Sequence, residues 1–83
     1  MTMTNHNSNE FRTADLSLTA ALCVSGFVVE EMERVSPTRS VFIFQSSAEL
    51  HETEKRYWRA DLRIEPQAFF NQLKILKARI YER

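Results

Sequence analysis

Glycine is nearly missing from this chain of 83 residues: Gly26 stands alone, with two prolines and one cysteine. So few turn-forming residues cannot supply the many tight connections of a barrel or sandwich, which leaves helices and a small sheet. A single glycine also excludes a glycine-rich phosphate loop and a Gly-x-Ser-x-Gly elbow, and there is no His-Glu-x-x-His zinc motif. Cys23 has no partner for an internal disulfide, which points to a reducing, cytoplasmic setting. Long apolar runs are missing too. The longest, Leu16 to Val29, is broken by Ser17, Thr19, Ser25 and Gly26 and falls short of the roughly 20 residues a spanning helix needs. Met1 to Asn9 hold neither Lys nor Arg nor an apolar core, so they do not read as a secretory signal. They read as a disordered tail before a single domain over residues 10–83.

Net charge is absent as well, at +0, but the charges are sorted along the chain. Residues 1–54 hold three basic side chains against eight acidic ones, a balance of −5; residues 55–83 reverse it, with eight against three, or +5. Such a split offers a basic surface to an anionic partner, or neutralises itself across the fold.

What the chain does have is apolar bulk, 43% hydrophobic residues with six Phe, enough for one small core. The clearest element is Pro66 to Arg83, where Phe69, Leu73, Leu76 and Ile80 repeat as one face of an amphipathic helix. Pro66 suits the first helical position, and Ile64 stands where a hydrophobic staple would meet Phe69. Leu73→Ala on this stripe is expected to cost about 2–5 kcal/mol. Earlier, Glu10 to Thr13 reads as a short edge strand, and Thr13 or Asp15 as the N-cap of a helix running to Ser25 and closed by Gly26. That helix is apolar nearly all round and should be buried on more than one side. Phe27–Val35 and Val41–Phe44 flank turn residues Ser36 to Arg39, a hairpin whose second strand should be the central one. Ser46-Ser47-Ala48-Glu49 has the pattern of a capping box for a helix to about Arg59, with Leu50, Tyr57 and Trp58 toward the core. On it, Glu52 and Glu54 are spaced to pair with Lys55, Arg56 and Arg59. Asp61 to Ile64 is an extended link. The fold expected is α+β, about three antiparallel strands covered on one face by three helices, in the order β-α-β-β-α-link-α.

The opening Phe11-Arg12-Thr13-Ala14-Asp15-Leu16 resembles a family of small prokaryotic and phage proteins classed as a domain of unknown function. So do Ser25-Gly26-Phe27, Pro66-Gln67-Ala68-Phe69-Phe70 and Lys77-Ala78-Arg79-Ile80-Tyr81, so the likeness spans residues 11–83. It implies a stand-alone domain from a mobile element, and it carries over no catalytic or binding residue.

No catalytic constellation stands out, and the chain reads as non-enzymatic, with no cofactor, metal or small-molecule substrate expected. Cys23 lies in the apolar helix and reads as core. His51 and Glu54, at i and i+3, lack further metal ligands nearby in sequence. Two binding readings remain. Lys55, Arg56 and Arg59, beside Tyr57 and Trp58, with Lys74, Lys77 and Arg79 on the last helix, where Lys74, Lys77 and Tyr81 share one face, would form a basic strip for nucleic acid if the two helices lie side by side. Alternatively Phe70 and Ile75, flanking the buried stripe, form an apolar flank for a protein partner or a homodimer. Against both stands the ordinary reading of such residues as core and solvated surface.

Overall fold

The computed structural model describes residues 9–81; the expected tail, except Asn9, lies outside them, as does Arg83. Six elements follow in the expected order: β1 (Glu10–Thr13), α1 (Leu16–Val24), β2 (Val29–Ser36), β3 (Arg39–Gln45), α2 (Ala48–Trp58) and α3 (Pro66–Tyr81). The strands form one antiparallel sheet in the order β1-β3-β2, so β3 is central as its two-sided apolar pattern implies. Side chains alternate along it. Phe42 and Phe44 point to the helices and join Leu18, Ala20, Leu22, Leu50 and Leu76 in the core, with Phe69, Leu73 and Ile80 packed against its edge.

The third apolar residue of that strand, Ile43, is absent from this cluster, yet it is only 3% exposed. Its register partners Arg12 and Glu31 flank it, and the Arg12 guanidinium reaches the Glu33 carboxylate on the far strand and Glu10 at 3.3 Å. Charged side chains thus shelter the sheet's helix-free face. Ion pairs this exposed contribute little on their own, about 0–1 kcal/mol. The aliphatic stems of such side chains cover apolar neighbours while their charged heads stay in water.

α1 is the hub of the helical layer, packed against α3 and, less extensively, against α2. Leu18 to Leu22 are all buried, which is why this helix has no polar side. Both candidate caps are used at its start: Thr13 Oγ1 accepts from the Asp15 N–H, and Asp15 Oδ1 accepts from the Leu18 N–H at 2.9 Å. At its end Gly26, with φ +105°, lets the Phe27 N–H reach the Leu22 carbonyl, a Schellman closure.

α2 departs from expectation at both ends. Its N-cap is Ser47, whose Oγ accepts from the Leu50 N–H at 3.0 Å, so the Ser46–Glu49 capping box does not form. The reason lies upstream. The Ser46 N–H donates to the Asn9 carbonyl, which holds that residue to the end of the sheet and delays the helix by one position. At the other end Ala60 takes a left-handed conformation, φ +61°, and the Asp61 N–H closes on the Arg56 carbonyl. A side chain there costs about 1–2 kcal/mol, of which glycine's greater freedom when unfolded returns roughly half. Ala60→Gly is therefore expected to stabilise the domain by up to about 1 kcal/mol, read as a higher urea midpoint; a lower midpoint would mean that Ala60 carries no strain.

Trp58 also differs. Leu50 and Tyr57, two helical turns apart, point inward, but the next residue is rotated by about 100°. Trp58 is consequently 58% exposed, and its indole N–H donates to Glu54 Oε2 at 3.2 Å. For α3, the Glu65 carboxylate accepts from the Gln67 and Ala68 N–H groups, capping the helix just before Pro66.

Candidate functional site

The anticipated basic residues separate into two groups. On α2, Arg56 and Arg59 turn to Asp61, with Nε–carboxylate distances of 3.7 and 3.2 Å, rather than to Glu52 or Glu54. The left-handed turn at Ala60 brings Asp61 back to them, and the pairing halves the charge they offer. Lys55 is exposed without an ion pair among the described residues. α1, rather than α2, is the principal helical neighbour of α3, so the two basic stretches are not joined by a direct helix pairing.

On α3 the five candidates, Phe70, Lys74, Ile75, Lys77 and Arg79, fall on different sides. Arg79 is half-buried, and its charge acts on the Cys23 thiol of α1. Burial pushes that thiol up, against the opposing effects of Arg79 and of a hydrogen bond from the Val29 backbone. Cys23 is thereby kept protonated, as a core thiol. Phe70 and Ile75, 59% and 52% exposed, are five residues apart and hence about 140° apart around the helix. They do not make one apolar flank.

What α3 does bring together is Phe70, Lys74, Lys77 and Tyr81. Their spacing of +4, +3, +4 sets all four on one line, opposite neither Leu76 nor the solvent pole but along one shoulder of the helix. Phe70 is 59% and Tyr81 78% exposed, and both lysines are exposed without an ion pair among the described residues. The line runs about 16 Å, at 1.5 Å per residue. Two rings therefore frame two ammonium groups on a rigid rod. Sequence reasoning found Lys74, Lys77 and Tyr81 on one face but placed Phe70 with Ile75, because both flank the buried stripe when read in one dimension.

A family model, that of a domain of unknown function designated DUF5659, matches residues 8–82. The chain belongs to this family. No curated protein matches it, and no solved structure does. The DUF5659 match spans every element described above, including the α3 shoulder. Among the described residues, no helix of this DUF5659 domain is long and apolar enough to cross a membrane, and no cluster of three metal-ligating side chains occurs.

Proposed function

We propose that this domain is a small cytoplasmic binding module that takes single-stranded nucleic acid along the α3 shoulder. The observation that carries the reading is the exposed line Phe70, Lys74, Lys77, Tyr81. Bases offer flat faces to Phe70 and Tyr81, and the backbone between them offers phosphates to the lysines. A duplex hides its faces, so a single strand is the better match. Lys55, Arg56 and Arg59 stand on α2 as a secondary positive region, weakened by Asp61.

Fluorescence anisotropy with a labelled mixed-sequence oligonucleotide tests this. Binding should weaken as salt rises, each lysine on a phosphate adding about −0.7 to the slope of log affinity against log salt. Lys74→Glu with Lys77→Glu should abolish it, and Phe70→Ala should cost about 1–3 kcal/mol of affinity, all without loss of fold. Binding that survives the charge reversal, or none at low salt, would overturn the proposal. A salt-indifferent association lost on Phe70→Glu would instead point to protein docking.

A further inference from the structure

The one-residue delay at the start of α2 has a chemical result. Because Ser47 caps the helix, the hydroxyl of Ser46 is left without a capping role, and its Oγ lies 2.8 Å from His51 Nε2. The other ring nitrogen, Nδ1, faces Glu54 Oε1 at 3.9 Å. Glu54 is itself held by the Trp58 indole N–H on its second oxygen, and the edge of the ring pair Phe11–His51, at 5.8 Å, steadies the imidazole. A hydroxyl, an imidazole and a carboxylate thus stand in line, each nitrogen of the ring facing one of the others. At 3.9 Å the carboxylate is beyond hydrogen-bond reach of Nδ1 and acts on the ring by its charge; with the proton on Nδ1, Nε2 accepts from the Ser46 hydroxyl.

Two further features adjoin this line. Ser46 also lines a cleft of about 340 Å³ in which Phe27, Val28 and Phe44 supply apolar wall and Glu30 and Gln45 polar wall. The first amides of α2, at Ala48 and Glu49, precede the point where intrahelical hydrogen bonding begins, so their N–H groups are open to an oxyanion.

We propose that Ser46, His51 and Glu54 form an acyl-transfer site that hydrolyses neutral esters with short acyl chains. Ser46 Oγ attacks the ester carbonyl carbon, and its proton passes to His51 Nε2. Collapse of the tetrahedral intermediate breaks the carbon–oxygen bond to the alcohol, which leaves with that proton. Water, deprotonated by the same nitrogen, then attacks the acyl carbon; the bond from that carbon to Ser46 Oγ breaks, His51 returns the proton to Oγ, and the carboxylic acid leaves, so that ester and water become acid and alcohol. Glu54 acts through His51, stabilising the imidazolium formed in each half-reaction. The Phe27, Val28 and Phe44 side of the cleft takes the acyl chain, and Glu30 disfavours an anionic one.

The full chain is assayed with p-nitrophenyl acetate and butyrate, and the trapped protein is mapped by mass spectrometry. Saturable release of nitrophenolate and an acyl group on Ser46 are expected. Ser46→Ala and His51→Gln should each lower kcat/KM about 100-fold while circular dichroism stays unchanged, since neither residue caps α2 or is buried and His51 meets only the edge of Phe11. Glu54→Gln should lower kcat with KM unchanged, whereas mere loosening of the helix would also shift the melting curve. A rate retained in Ser46→Ala would show His51 or a lysine attacking directly and overturn the proposal. So would an acyl group found elsewhere, or a wild-type rate no higher than that of His51→Gln.

Discussion

Phe44→Ala is expected to bring the domain to the edge of unfolding in plain buffer. Phe44 is buried on the central strand and is the register partner of Phe11 on one side and Val29 on the other. Its ring lies tilted against Phe11, with centroids 6.3 Å apart, and its inner face meets the helical layer. Removing it opens a cavity in the middle of the core, at a cost of about 3–5 kcal/mol. A domain of this size holds roughly 4–12 kcal/mol in all, at about 0.05–0.15 kcal/mol per residue. Urea unfolding followed by circular dichroism measures the loss. A loss below about 1 kcal/mol would show that the three strands do not share one core.

Leu76→Ala comes second, at about 2–5 kcal/mol, and its value lies in the comparison with the neighbouring residue. Leu76 is the α3 residue that is fully buried, in the same cluster as Leu22 and Phe42. Ile75, one position earlier and 52% exposed, should change stability by no more than about 0.5 kcal/mol when truncated to alanine. Leu73, half-buried at the margin of the cluster, falls between the two. Equal losses at positions 75 and 76 would mean that α3 is rotated from the orientation described. The α3 shoulder would then have to be redrawn, so this pair also checks the geometry on which nucleic-acid binding rests.

Much of the fold was legible because several local signals agreed at each place. The Asp15 cap, Gly26, the turn after Ser36 and the Pro66 start each fell within a residue or two of the observed boundaries. The central position of β3 followed from apolar residues at both odd and even positions of Val41 to Phe44. Two of the misses, the exposure of Trp58 and the pairing of Phe70 with Ile75, lay within the helical period itself, whereas others depend on contacts the segment does not show. Ser46 and Ser47 are equally good caps in isolation, and only the hydrogen bond to Asn9 chooses between them. No glycine marks the turn at Ala60, so nothing local foretold that Asp61 would fold back on Arg56 and Arg59. The Ser46–His51 line was invisible for the same reason, since it exists only after the cap has moved. Of the candidate basic surface, the helical period alone could reveal Lys74, Lys77 and Tyr81. Whether α2 stood beside α3 depended on where α1 would lie.

The strand order sets a timetable for the chain as it leaves the ribosome. β1 comes first in sequence but pairs with β3, whose residues emerge some thirty positions later. Until then Phe11 and the largely apolar α1 have no sheet to cover them. The hairpin of β2 and β3 needs only its own short turn and can form as soon as Gln45 is free, so it becomes the platform on which the waiting N-terminal third collapses. α3, made last, then seals the surface of α1 that the sheet leaves bare.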